Sequence, residues 1–180
     1  MDYNQFVKDL SVCFQNPVID NEKSYSFSPR TPVTSVYGIV GGYGITFGFS
    51  ASKEVKIIVN KKPPHYMYVS PSNLLTKFSD ALKISGAVKS DDFEFDTTYS
   101  VRNTGKQAAK KTLVSENITL IKKLDPFAYF EMTHKIYKFV KDVNNNYTVR
   151  NAEDDLNNLA KFVKNCDSIW NLDKTNIRRT

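Results

Sequence analysis

The sequence predicts an α+β fold, with a largely antiparallel β-sheet and about four helices packed on it. Segments with the two-residue period of strands are interspersed with segments of helical period along the chain. Neighbouring strands are joined by short turns, which connect antiparallel but not parallel strands. The order of the elements is loosely repeated, which leaves open an interpretation as two similar β-then-α halves.

The chain has 180 residues, of which 41% are hydrophobic and 13% aromatic, enough to bury a core as a single domain. We expect an N-terminal helix in residues 1–16, a surface connection in 17–32, the α+β core in 33–172 and a loose tail in 173–180. No apolar run is long enough to cross a membrane, and the first residues lack the pattern of a signal peptide. These features predict a cytoplasmic protein without membrane insertion.

The first half of the chain is predicted to begin with a helix whose N-cap is Asp2. The stretch VYGIVGGYGITFGFS then resembles a phosphate loop in its glycines, but it lacks Gly-Lys-Ser/Thr and the last glycine of a dinucleotide loop. We interpret it as a β-hairpin that turns at Gly41-Gly42. Residues 53–60 and HYMYVS are predicted strands, and Ser70-Pro71 is predicted to start a helix that ends at Gly86. That helix would bury Leu74, Leu75, Phe78 and Leu82.

The second half opens with residues 93–102, where apolar and polar residues alternate for ten positions and predict a strand. A helix is expected over residues 104–124, ending at Asp125-Pro126. FAYFEMT, KIYKFVKD and YTVR are predicted as three more strands. The last helix is expected to begin at Asn151 and to bury one stripe of side chains, namely Leu156, Leu159, Ala160, Val163, Cys166 and Trp170.

Residues 33–165 contain a pattern that resembles a widespread archaeal and bacterial family of uncharacterised domains. Its features are a V-x-G-x-x-x-G hairpin, a (G)D-x-x-F-D-x-x-(F/Y)-x-V strand and an A-x-x-x-L helix. Ser90 stands where the family usually has glycine, and Tyr99 where it usually has phenylalanine. The matching positions are Val36, Gly38, Gly42, Phe95, Asp96, Tyr99, Val101, Ala109 and Leu113. The resemblance implies the fold, but the family has no established activity, so it implies no catalytic residue.

Motifs that would identify an enzyme are missing from the sequence. The two cysteines and two histidines lack the spacing of a zinc site, and no segment resembles the G-x-S-x-G elbow of a serine hydrolase. Asp92, Glu94 and Asp96 are interpreted as solvated acids on a strand, not as metal ligands. The sequence therefore predicts neither catalysis nor a cofactor or metal.

Three functions remain open, and the first is favoured: a non-enzymatic binding or assembly domain, including a homo-oligomer. The net charge of +6 allows a second, nucleic-acid binding. Its candidate residues are Arg102, Lys106, Lys110 and Lys111, with Tyr66 and Tyr68 available for stacking on bases. The third is a carrier that holds a small apolar ligand between sheet and helices.

Overall fold

The α+β prediction is confirmed by a computed structural model that describes residues 1–20, 34–50, 54–72, 87–103, 105–143 and 146–177. These residues form one eight-stranded antiparallel sheet and five α-helices. The strands are β1 Gln15–Asp20, β2 Ser35–Val40, β3 Tyr43–Phe49, β4 Glu54–Val59, β5 Met67–Pro71, β6 Tyr99–Arg102, β7 Tyr129–Met132 and β8 Tyr137–Asp142. The helices are α1 Tyr3–Leu10, α2 Phe93–Thr98, α3 Lys106–Thr112, α4 Ser115–Lys123 and α5 Val149–Ile177.

The strand order in the sheet is β1-β2-β3-β4-β8-β7-β5-β6, and every neighbouring pair is antiparallel. Strands β8 and β7, from the second half of the chain, lie between β4 and β5 of the first half. The two predicted halves are therefore interleaved at the centre of the sheet. Strand β6 lies at one edge, where Ala87 pairs with Arg102 in an isolated bridge.

The two faces of the sheet differ in character, as the period of two in the strands requires. One row of paired residues crosses the core face, and none of its members is more than 2% exposed: Val36, Phe47, Ile57, Phe139, Phe130, Val69 and Val101. The adjacent row crosses the opposite face, here called the outer face: Tyr37, Thr46, Ile58, Lys138, Glu131, Tyr68 and Arg102. Arg102 therefore points away from the core.

Helices α1 and α5 cover the core face of the sheet. Phe6 of α1 packs on Phe47 with ring centroids 6.1 Å apart, and Phe162 of α5 packs edge-on against Phe130 at 5.0 Å. Helix α1 starts as predicted, because the Asp2 carboxylate accepts hydrogen bonds from the Asn4 and Gln5 backbone amides. No helix in the described part of the chain combines the length and apolarity needed to cross a membrane.

The glycine stretch is the predicted β-hairpin. Gly41 and Gly42 have φ values of 59° and 86°, which suit a two-residue turn between antiparallel strands. Gly38 is required by close packing, because a Cβ there would lie 2.8 Å from the Cβ of Phe14. These glycines therefore form the turn of the hairpin and allow its close packing on Phe14.

The strand predicted at residues 93–102 is wrong in its first six positions, which form α2. The Asp92 carboxylate accepts from the Phe95 amide at 2.8 Å and caps the helix. Phe95 is buried and its ring lies 5.0 Å from that of Tyr99, four positions later, while Phe93 is 84% exposed. Phe95 and Tyr99, four positions apart, would share a face in a helix and also in a strand, so their spacing does not distinguish the two. The Asp92 cap favours the helix. Lys122 pairs with both Asp92 and Glu94, at 3.0 and 2.7 Å.

The helix predicted over residues 104–124 is divided into α3 and α4 by extended backbone at Val114. The buried Asn117 side chain donates to the Thr112 carbonyl at 2.8 Å, which satisfies a group exposed by the break. The strand predicted at YTVR is also wrong. Thr148 and Asn151 exchange side-chain hydrogen bonds with each other's backbone amides, so a helix starts at Val149.

Three further elements begin or end at other positions than predicted. The predicted connection after the first helix contains the edge strand β1, and Asn16 there has φ 52° beside a register shift. Pro71 ends β5 and does not start a helix, because it pairs with Tyr99. The predicted helix residues 74–86 lie outside the described residues. Helix α5 extends to Ile177, into the predicted loose tail.

Candidate functional site

Two surface clefts meet at Trp170, the single tryptophan of the chain, which is half-buried on α5. The first, called the α3 groove, has a volume of about 630 Å³ and is lined by Gly105, Lys106, Gln107, Ala108, Lys111 and Trp170. The second, called the lysine-proline cleft, has a volume of about 470 Å³ and is lined by Lys61, Lys62, Pro63, Pro64, Cys166, Asp167, Trp170 and Asn171. Trp170 thus presents its ring to both clefts.

One hydrogen bond and one ring contact hold Trp170 directly. Its indole Nε1 donates to Thr112 Oγ1 at 3.4 Å, and its ring lies 5.5 Å from that of His65. A side-chain network continues behind these contacts: His65 Nε2 lies 2.6 Å from Thr112 Oγ1, and the Asn103 amide nitrogen lies 2.9 Å from His65 Nδ1. The tryptophan is therefore bonded to α3 and packed on the β4–β5 connection.

Both ring nitrogens of His65 lie against polar atoms. Nδ1 is 2.9 Å from the Asn103 amide nitrogen and 3.0 Å from the Tyr66 carbonyl, and Nε2 is 2.6 Å from Thr112 Oγ1. The Asn103 Oδ1 accepts from the Gly105 amide, which orients its nitrogen towards His65. Burial lowers the pKa of His65, and the hydrogen bond to the Tyr66 carbonyl partly offsets this shift. Burial therefore favours neutral His65.

We expect the stability of the protein to fall as His65 is protonated. Because burial lowers its folded pKa below the ordinary value of 6.5, the stability that neutral His65 contributes is complete above that pH and is lost as the pH falls through the folded pKa. Urea unfolding midpoints at about pH 7.5 and about pH 5.5 would measure the loss. His65→Gln, which keeps a side-chain donor but does not titrate, should reduce this pH dependence. His134→Gln is the matched control, and an equal reduction in that variant would contradict the assignment.

Lysines line both clefts that meet at Trp170. Lys111 Nζ is 4.6 Å from the ring centroid, close enough for a cation–π contact, and the exposed Lys106 lines the same groove. In the lysine-proline cleft, Lys61 forms an ion pair with Asp167 at 3.3 Å, and Lys62 is exposed. The lining lysines therefore outnumber the lining acid by four to one.

The groups at the base of the lysine-proline cleft are neutral. Burial raises the pKa of the Cys166 thiol to about 12, with a further contribution from Asp167, so the sulfur remains a protonated thiol near neutral pH. The Tyr137 hydroxyl is buried beside the Cys166 thiol and Asp167, and burial raises its pKa. A neutral thiol is a poor nucleophile, so this cleft favours binding over covalent chemistry.

The structure brings together only part of the predicted nucleic-acid surface. Lys106 and Lys111 line the α3 groove, and Lys110 is exposed on the same helix. Arg102 lies on the outer face beside Tyr68. Two residues of the site were not predicted: Trp170 was assigned only to the core, and His65 was considered only as a zinc ligand and excluded by its spacing. No spacing signal links these two residues, because their contact joins positions 65 and 170.

A third cleft, of about 210 Å³, lies elsewhere and is lined by Asp125, Pro126, Lys141, Asp142, Val143, Asn146, Tyr147 and Asn151. Beneath it the buried Lys141 pairs with Asp155, with Nζ 2.9 and 2.8 Å from the two carboxylate oxygens. The Tyr147 hydroxyl donates to the same carboxylate at 2.8 Å. These contacts join β8 to α5, and each charged group of the pair is satisfied by its partner.

The three clefts do not favour the hypothesis that the protein carries a small apolar ligand, because charged residues line each of them. Between sheet and helices, the described core is filled by aromatic rings in contact, such as Phe6 on Phe49 at 5.0 Å. Among the described residues, no group of three or more His, Cys, Asp or Glu is arranged to hold a metal ion.

Comparison with known proteins identifies a shared fold. No family model matches the sequence, and no curated protein does so either. Among solved structures, the chain is similar to the crystal structure of the mycobacterial trehalose monomycolate transport factor A, TtfA, with a TM-score of 0.65. The match covers 93% of this chain and 95% of that one at 9% sequence identity. At this identity the likeness shows the fold alone, which agrees with the α+β class.

Proposed function

We propose that this protein is a non-enzymatic binding domain that holds an anionic partner against Trp170. The observation that carries the proposal is the pair of clefts that share this ring: each is lined by the half-buried indole and by two lysines. An aromatic face attracts a flat group of a ligand, and the lysines attract negative charge. Membership of the uncharacterised family that the sequence resembles is a separate proposal, and it adds no activity.

Two further observations support binding without catalysis. His65 is the nearest group with the chemistry of a general base, but both of its ring nitrogens are engaged by Thr112 and Asn103. The Cys166 thiol stays protonated. TtfA is described as a transport factor, and carrying a cargo requires binding it, so the shared fold is compatible with this proposal.

The emission of the single tryptophan provides a direct test, since Trp170 lies in the site. We expect polyphosphate to change this emission at low salt, and binding to weaken as salt rises from about 50 to about 200 mM. The double variant Lys106→Ala/Lys111→Ala should bind less tightly. The slope of log affinity against log salt should shrink by about 1.4, or ~0.7 for each lost contact with a flexible polyanion.

The control for this experiment is Lys8→Ala/Lys123→Ala, which removes two exposed lysines from α1 and α4. It lowers the net charge by the same amount but leaves both clefts intact. Equal losses in the two double variants would show a diffuse charge effect and would contradict a site at Trp170. The proposal also fails if neither polyphosphate nor an oligonucleotide binds at low salt.

A further inference from the structure

A second surface of aromatic and basic residues lies on the outer face of the sheet, at the β6 edge. Tyr66 is 38% exposed, and Tyr68 stacks on Tyr129 with ring centroids 5.6 Å apart. Arg102 is exposed and is paired directly opposite Tyr68. The surface defined by Tyr66, Tyr68, Tyr129 and Arg102 is called the tyrosine edge.

Charge is distributed unevenly along the tyrosine edge. Burial and the Glu131 carboxylate raise the pKa values of Tyr66 and Tyr68, while Arg102 lowers them, so both hydroxyls are neutral at physiological pH. Glu131 lies between Lys138 and Tyr68 in the outer-face row. Lys138, 5.2 Å from the Tyr129 ring centroid, offsets the Glu131 charge on that side, while Arg102 supplies positive charge on the side nearest α3.

The tyrosine edge and the α3 groove are joined around β6. Arg102 points to the outer face, while the next residue, Asn103, turns to the other side and bonds His65 at 2.9 Å. His65 in turn precedes Tyr66 and contacts Trp170. Lys106 begins α3 only four positions after Arg102. One short segment of chain therefore connects the two aromatic surfaces.

We propose, as an extension of the function proposed above, that the anionic partner is a single-stranded nucleic acid that passes around the β6 edge. One base stacks on Trp170 and another on Tyr66, while Lys106, Lys111 and Arg102 contact the phosphates. Exposed aromatic rings next to basic side chains are the usual platform for unpaired bases. A duplex hides its base faces within the stack, so it offers no base to these rings.

The test compares ligands of equal charge but different bases. We expect an oligothymidylate of roughly 12 nucleotides to bind about tenfold or more tightly than an abasic oligonucleotide of the same length, because stacking requires bases. It should also bind more tightly than a duplex of the same sequence. Fluorescence anisotropy of end-labelled ligands is the readout, so that variants of Trp170 can be measured as well.

Variants then locate the two stacking positions. Tyr66→Leu should weaken oligothymidylate binding about fivefold or more without changing abasic binding, and Trp170→Leu should do the same. Trp170→Phe keeps a ring and should restore most of the affinity. Arg102→Ala should lower the salt slope by about 0.7 for both ligands. The matched control is Tyr37→Leu, because Tyr37 is 46% exposed on the same face at the far side of the sheet.

The results distinguish failure of the single-strand inference from failure of the proposed anion binding. Equal affinity for oligothymidylate and the abasic ligand, or tighter binding of the duplex, would overturn the single-strand inference. The anion-binding function would still stand if polyphosphate binding depended on Lys106 and Lys111. A loss in Tyr37→Leu equal to that in Tyr66→Leu would overturn the path around β6. Failure of every polyanion to bind would overturn both proposals.

Discussion

The variant Asp155→Ala is expected to lose about 3–5 kcal/mol of its free energy of unfolding, because it leaves a buried charge without its partner. Lys141 is 6% exposed and Asp155 3% exposed. Burial raises the pKa of Asp155 in spite of Lys141, so desolvation outweighs the attraction between the two charges. The pair therefore contributes little net stability, although breaking it is costly.

The triple variant Lys141→Met/Tyr147→Phe/Asp155→Leu is expected to keep the free energy of unfolding that Asp155→Ala loses. It removes both charges and the hydroxyl that donates to the carboxylate, so no polar group is left unsatisfied. We expect a stability within about 1 kcal/mol of the parent protein, or above it. Urea unfolding followed by far-ultraviolet circular dichroism measures both variants. Loss of the same stability in the triple variant would show that the ion pair itself stabilises the fold.

The second large effect is expected for Phe162→Ala, which should lose about 3–5 kcal/mol by opening a cavity in the core. Phe162 is fully buried on α5 and packs edge-on against Phe130 at 5.0 Å and Tyr137 at 6.4 Å. Phe162→Leu keeps most of the volume and should lose clearly less. Differential scanning calorimetry provides the measurement.

Phe93→Ala is the control for this experiment, because Phe93 is 84% exposed on α2. It should change stability by no more than about 0.5 kcal/mol. The strand predicted from the sequence places Phe93 on the same face as Phe95, in the core. A loss in Phe93→Ala as large as that in Phe162→Ala would support that strand and contradict α2.

Much of the secondary structure was predictable because its causes are local. The Gly41-Gly42 turn and the Asp2 cap depend on residues within a few positions of each other. The segment 93–98 was mispredicted because Phe95 and Tyr99 fit the period of a strand and that of a helix equally well. The Asp92 side chain, which caps the helix, favours the helix over the strand. Thr148 and Asn151 likewise start α5 through a reciprocal cap within an apparently strand-like segment.

The candidate site was predicted only on its basic side. Lys106 and Lys111 were visible as charges on one helix, and they do line the α3 groove. Trp170 and His65 were not visible as a site, since their 5.5 Å ring contact depends on how α5 lies over the β4–β5 connection. Arg102 was grouped with the lysines by its position in the chain, but strand register places it on the outer face.

The sequence by itself determined the α+β class, the antiparallel pairing and the buried stripe of the last helix apart from Trp170, because hydrophobic period and turn residues act over short distances. Only the tertiary structure decided that β8 and β7 lie between β4 and β5, and that lysines from two separate segments line the clefts that meet at Trp170. Strand order and helix packing depend on contacts between distant residues, whose energies come from burial of complementary surfaces that no local pattern records.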